Sequence, residues 1–198
     1  MDGRTDEELL ERFTRQGDRD AFVHLVNRHI GGIRRLLFVL FAGHREDMED
    51  AEQEALLAIY RGLHRFSGRA RLGTYLLSLC RNRAVDILRS KQRRRRMMRR
   101  VISSRPPPTP GPEEQAVERE TRREALGLLL ELDEDSRTVL LLVDVEGLPI
   151  REAAAALNRP PGTVKSRLHR AREKLAAAWR RRDRQGETQG ETQGGTRT

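Results

Sequence analysis

One cysteine in 198 residues excludes an internal disulfide and any zinc site built on cysteine pairs. That residue, Cys80, stands among Leu76, Leu77, Leu79 and Val85, a setting for a packed thiol rather than a reactive one. The five histidines, His24, His29, His44, His64 and His169, fall into no cluster with metal-ligand spacing, so no metal or other cofactor is expected. P-loop, GxGxxG and Ser/His/Asp patterns are all missing, which argues against an enzyme. No apolar run approaches the roughly 20 residues of a membrane helix. The N-terminus, MDGRTDEELL, lacks the apolar stretch of a signal peptide. A soluble, cytoplasmic protein without membrane insertion is the expectation. Nor does any segment sustain the apolar–polar alternation of strands, so the fold class is all-α.

What the chain has in excess is positive charge, 39 Lys and Arg against 30 Asp and Glu, and it is unevenly placed. Residues 1–68 carry a net −3, residues 69–105 a net +12, residues 106–149 a net −7 and residues 150–198 a net +7. Basic blocks of this density are the footprint of a polyanionic partner, nucleic acid above all. The acidic blocks would repel nucleic acid and suit a protein partner.

Helical periodicity organises the chain around those blocks. Thr5-Asp6-Glu7-Glu8 reads as a capping box that opens a helix ending near Gln16. From Gly17-Asp18 a longer helix follows, with Phe22, Leu25, Val26, Ile30, Ile33, Leu37 and Leu40 at helical spacing, broken at Gly43-His44. A third runs from about Glu46 to His64 with Ala51, Ala55, Ile59 and Leu63 on one face, and a fourth from Leu72 into the nineties, ending in the run QRRRRMMRR. Five of the eight prolines then fall in RPPPTPGPEE, residues 105–114, too extended to join a core and hence a linker. Helices are expected over Glu113–Glu131 and Ser136–Val145. The tail from Gly186 repeats GETQ, carries no apolar residue and is expected to be disordered. The boundaries that follow are a first helical domain at 1–100, a flexible proline-rich linker at 101–114, a second helical domain at 115–182 and a tail at 183–198.

The second domain ends in GLPIREAAAALNRPPGTVKSRLHRAREKL, residues 147–175. An alanine-rich helix over about Ile150–Leu157, a break at Asn158-Arg159-Pro160-Pro161-Gly162 and a basic second helix have the plan of a helix-turn-helix. At 100° per residue, Val164, Leu168, Ala171 and Leu175 fall within about 60° of one another and form a core stripe. Lys165, Ser166, His169 and Arg170 point away from it. Lys and Arg can bond guanine acceptors in the major groove, and Ser can bond either kind of base edge. An amphipathic surface helix with solvated charges would show the same pattern.

Several pieces of the chain together resemble the extracytoplasmic-function (ECF) sigma factors, specificity subunits of bacterial RNA polymerase. They are GDRDAF (17–22), MEDAEQEALLAIYRGLHRFSG (48–68), TYLLSLCRNRAVDILR (74–89) and GTVKSRLHRAREKL (162–175), in order and at the family's spacing over residues 6–178. The resemblance implies a subunit that binds core polymerase, recognises promoter DNA and opens its strands. It implies that Asp50, Gln53 and Glu54 dock on the clamp coiled coil, although these acids also suit a solvated helix start. It places Phe66, Arg69, Arg71, Tyr75, Asn82 and Arg83 at the minus-10 element, with Phe66 and Asn82 beside a flipped base and Arg81 and Arg89 also able to follow phosphates. Phe66 serves equally well as a core anchor, whereas Asn82 is a poor mid-helix choice without a function. Lys165, Ser166, His169 and Arg170 fall at the minus-35 element, while Arg167, Arg172 and Lys174 serve phosphates or solvent. The helices before the motif would meet the polymerase flap, and an anti-sigma factor is a further implied partner.

The chain departs from the family's pattern at Tyr75, where tryptophan is usual, at Leu77, where a second aromatic is common, at Asp133 in place of a frequent proline, and at Pro149 in place of a Ser cap. A helix-turn-helix repressor or activator that binds duplex DNA without polymerase remains the alternative. An RNA-binding protein would suit the arginine run but not the helix-turn-helix.

Overall fold

Thr5 opens the first helix as its capping box predicts: its hydroxyl accepts the Glu8 amide at 3.2 Å, and the Glu8 carboxylate accepts the Thr5 amide at 2.7 Å. A computed structural model describes residues 3–98 and 127–192, the side chains only as far as residue 94 in the first stretch and residue 181 in the second. The α-helices are α1 (Asp6–Gln16), α2 (Arg19–Phe41), α3 (Arg45–Gly62), α4 (Leu72–Met98), α5 (Glu134–Leu140), α6 (Ile150–Leu157) and α7 (Pro161–Thr192). A 3₁₀ turn at Leu63–Arg65 ends α3, and residues 127–130 form a helical turn before α5. No strand occurs among the described residues.

The helix ends have identifiable causes. Gly17 takes a left-handed φ of 69°, so that its own amide donates to the Phe13 carbonyl and the Asp18 amide to the Arg12 carbonyl, after which Asp18 caps α2 by accepting the Ala21 amide at 3.1 Å. The break expected at Gly43-His44 begins one residue earlier, because Ala42 itself adopts a left-handed φ of 55°. Asn158 does the same after α6 at φ 50°, a role asparagine tolerates well. Pro161 then occupies the first turn of α7, where its missing amide costs no hydrogen bond.

Asp133 caps α5 by accepting the amide and the hydroxyl of Ser136 at 3.0 and 2.7 Å. Burial pushes its carboxyl upward, but the bonds from Ser136 and the charge of Arg167 outweigh that and hold it below the ordinary value.

The apolar spacing holds in three dimensions. Ala51, Ala55, Ile59 and Leu63 are all buried, as are Leu25, Val26, Ile33, Leu37 and Leu40 of α2, with Phe22 and Ile30 partly so. Phe13 of α1 gathers Phe22, Tyr60 and His64 at ring separations of 5.1, 5.0 and 5.0 Å, which ties α1 to α2 and to the end of α3. Cys80 is fully buried in α4, and burial pushes its thiol up to about 12.

The linker at 101–114, with most of the helix expected over 113–131, lies outside the described residues. Residues 186–192, expected to be disordered, continue α7, while residues 193–198 lie outside the described residues. Extending an existing helix fixes one residue per added bond and avoids the cost of nucleation, which is why a polar segment can follow α7. The two helical domains also pack against each other. α5 and α6 pack on α2 and α4, and one apolar core runs from Leu36 and Leu77 through Val139, Leu142 and Ala153 to Leu168.

Two outcomes follow from this packing. Cys80 resists iodoacetamide at pH 8 in the native protein and takes up one equivalent once the chain is unfolded in guanidinium, as read by mass spectrometry. Asp133→Ala lowers unfolding stability by about 1 kcal/mol in denaturant titration, the usual cost of a lost N-cap.

Candidate nucleic-acid interface

The core stripe of α7 turns its opposite face to solvent. Val164, Leu168 and Ala171 are buried, and Lys165, Ser166, His169 and Arg170 are all exposed. Arg170 folds back so that its Nε donates to the Ser166 carbonyl at 3.3 Å, and Ser166 donates to the Thr163 carbonyl at 3.1 Å. His169 lies 3.4 Å from Glu173 one turn on. Among the described residues none of the four is held by another helix, so each can swing to a base edge at little cost. Arg167 and Arg172 differ: Arg167 pairs with Asp135 at 2.6 Å, and Arg172 with Asp144. Both brace α7 against its own domain, a role that spacing in the sequence does not reveal.

In the first domain Phe66 and Tyr75 meet at a ring separation of 5.1 Å, and the Tyr75 hydroxyl donates to the Gly62 carbonyl at 2.8 Å. The aromatic pair and this bond pin the loop between α3 and α4 to both helices. Phe66 is half-buried and packs against the core, so its anchoring role is real, while part of the ring stays accessible. Arg69, Arg71 and Asn82 are exposed.

The acidic and basic candidates prove to be neighbours. Arg83 of α4 donates to the Glu54 carboxylate of α3 at 2.6 and 3.1 Å, Lys91 pairs with Asp47, and Arg34 of α2 pairs with Glu52 at 2.9 Å. Asp50 and Gln53 remain exposed on the outer side of α3. Glu54 and Arg83 therefore share one ion pair along the seam between α3 and α4.

A second set of charges crosses between the domains. The helix beyond α5 widens into a π turn at Leu141–Val145, closed by the Glu146 amide on the Leu141 carbonyl at 2.9 Å. Such turns aim side chains that regular helix would misplace. Here Glu146 meets Arg35 of α2 in a two-point pair at 2.7 and 3.1 Å, which raises the already high pKa of that guanidinium. Gly32 makes room, since a Cβ there would sit 3.0 Å from the Glu146 carboxylate. Glu152 of α6 accepts the Thr74 hydroxyl at 2.8 Å and lies 3.3 Å from Arg71. Arg81 donates to Asp135 at 3.2 Å and is nearly buried, and its Nε has no hydrogen-bond partner among the described residues. Among the described residues there is no cluster able to hold a metal ion and no helix long and apolar enough to cross a membrane.

Comparison with known proteins matches residues 25–94 to Sigma-70 region 2 and residues 122–175 to Sigma-70 region 4. The first match takes in α3, the aromatic loop and most of α4; the second takes in the helix-turn-helix. The chain is 30% identical over 179 residues to the ECF RNA polymerase sigma-E factor of Haemophilus influenzae, covering 86% of this chain and 93% of that protein. It is 31% identical to the sigma-E factor of Escherichia coli, covering 86% and 92%. Among solved structures, CnrH in complex with the cytosolic domain of CnrY superposes with a TM-score of 0.63 at 25% identity, over 87% of this chain and 96% of that one. The sigma factor RpoE of Bartonella quintana, solved with the anti-sigma factor NepR, gives 0.68 at 21% identity over 80% and 96%, a likeness of fold. The two domains, their order and their full-length relatives agree: the chain belongs to the ECF sigma factors of bacterial RNA polymerase.

Proposed function

We propose how this sigma factor divides its work among residues. As a member of its family it binds core RNA polymerase and directs promoter recognition, strand opening and transcription initiation, and it is not a stand-alone repressor. Lys165, Ser166, His169 and Arg170 read the minus-35 element from the major groove. The observation that carries this assignment is their common exposure on the face of α7 opposite Val164, Leu168 and Ala171. Arg and Lys contribute guanine contacts there, and Ser adapts to either base edge.

Phe66, Tyr75, Asn82, Arg69, Arg71 and Arg83 form the minus-10 site. Unstacking a base costs a few kcal/mol, and an aromatic edge, an amide able to pair with a base and charge on the backbone can offset it. Arg83 and Arg71 now hold carboxylates. Exposed ion pairs contribute about 0.2–1 kcal/mol each, so a phosphate can replace Glu54 or Glu152 without a large penalty. Asp50, Gln53 and Glu54 meet the clamp coiled coil of core polymerase, supported by the outward aspect of Asp50 and Gln53 on α3. The helices before the motif meet the flap. We infer an anti-sigma factor as a further partner, in keeping with the similar RpoE structure, which is a complex with the anti-sigma factor NepR.

In vitro transcription with core polymerase, with start sites mapped on genomic DNA, tests the whole assignment: defined starts that depend on this chain are expected, and tight operator binding without polymerase would contradict it. On a promoter so mapped, Arg170→Ala weakens binding of the upstream element by about 1–3 kcal/mol if Arg170 reads a guanine. An equal loss on scrambled DNA would reduce it to a phosphate contact. Asn82→Ala leaves closed-complex binding nearly intact and lowers open-complex formation, seen as weaker permanganate reactivity of bubble thymines.

A further inference from the structure

We propose that His29 of α2 is a positioning residue for strand opening: held by Asp6 of α1, its ring sets where α4 begins and thereby fixes the aromatic loop. This rests on the minus-10 reading of that loop given above. Asp6 stands in the first turn of α1, next to the capping box of Thr5 and Glu8. Its two carboxylate oxygens take one donor each from α2, Arg28 Nη1 at 3.0 Å and His29 Nε2 at 2.7 Å. The bond from Nε2 fixes the direction in which the imidazole points, which apolar packing alone would not do.

The opposite side of the ring meets α4. A Cβ on Gly73 would stand 3.2 Å from both Cε1 and Nδ1 of His29, closer than side chains ordinarily pack, so glycine leaves the ring its place. Further along, the same two helices run close again, where a Cβ on Gly32 would lie 3.6 Å from Leu77. The side chain of His29 is 25% exposed and that of Asp6 27%, so the ring is confined on most sides.

What the ring touches is the least self-supporting part of α4. The leading amides of a helix have no partner within it, so packing from outside decides where its first turn lies. That turn sets Gly73 against α2 and Tyr75 against Phe66, with the Tyr75 hydroxyl on the Gly62 carbonyl. Only two residues, a rise of about 3 Å along a helix, separate the ring contact from the aromatic pair. A displacement at His29 therefore reaches the loop almost undiminished.

The test uses holoenzyme made from core polymerase and the full-length chain, on a promoter fragment with a mapped start site. Closed-complex binding and the rate of opening are measured separately, the second by permanganate reactivity of bubble thymines. Gly73→Ala is expected to slow opening about tenfold and to change closed-complex binding less than about twofold, since small misplacements of a working group cost far more in rate than in binding. In the His29→Ala background, where the added methyl has room, the same substitution slows opening less than about twofold further, a coupling that independent sites do not show. His29→Gln, whose amide nitrogen can still donate to Asp6, opens faster than His29→Ala. Asp6→Asn keeps the shape of the side chain and slows opening several-fold; it decides the matter if Gly73→Ala fails to fold.

Normal opening by Gly73→Ala or by Asp6→Asn would overturn the role of His29. So would additive losses in the two backgrounds, His29→Gln no better than His29→Ala, or equal losses of closed-complex binding and opening. Phe66→Ala separates the two levels of the argument. If it too opens normally, the minus-10 reading falls along with the role of His29; if it is defective while Gly73→Ala is normal, only the role of His29 falls.

Discussion

Burial of one continuous apolar core is the constraint on which everything else in this molecule depends. Each helix carries a single apolar face, and a short polar chain of this kind gains stability only where such faces meet. A fully buried leucine or isoleucine contributes about 1.5–3 kcal/mol, several times what an exposed ion pair supplies. Leu36, Ile33 and Leu77 of the first domain and Val139, Leu142 and Ala153 of the second belong to the same core, so apolar packing rather than charge brings the domains together. The ion pairs at the boundary then select which surfaces meet, because a mismatched carboxylate or guanidinium there would be left desolvated.

That packing explains why charged side chains so close in space can serve different partners. α4 turns Leu76, Cys80 and Ala84 inward and meets α3 along one flank and α6 along another. On the first flank its Arg83 answers Glu54; on the second its Thr74 and Arg81 answer Glu152 and Asp135. A helix has room for such a division because successive residues are rotated by about 100°, so positions three or four apart share a face and their neighbours do not. The exposed acidic side of α3, its Glu54–Arg83 seam with α4 and the domain boundary thus lie on adjacent sides of two helices.

The departures from the family's pattern also find local explanations. Tyr75 keeps an aromatic contact with Phe66 and adds a hydroxyl that bonds the end of α3, an attachment that an indole donor would have to make from a different atom. Asp133 replaces the rigidity of proline with a side-chain cap on α5. Pro149 precedes α6 without a side-chain cap, and the helix starts on the neighbouring Ile150.

Helix periodicity is a local property, and it is here that the sequence by itself determined the outcome. The capping box at Thr5 and Glu8, the buried face Ala51-Ala55-Ile59-Leu63 and the inward stripe of α7 follow from spacing along one helix and are found as expected. The outward aspect of Lys165, Ser166, His169 and Arg170 follows from the same rule. What only the tertiary structure decided are the partners of charged side chains far apart in the chain. Arg35 and Glu146 are 111 residues apart, and nothing in the composition around either marks the other. Arg167 and Arg172 are expected from the sequence to serve phosphates or solvent, yet each is taken by an acid that precedes the helix-turn-helix. A long charged side chain reaches in many directions, and its choice is fixed only once packing has brought one opposite charge within a few ångströms.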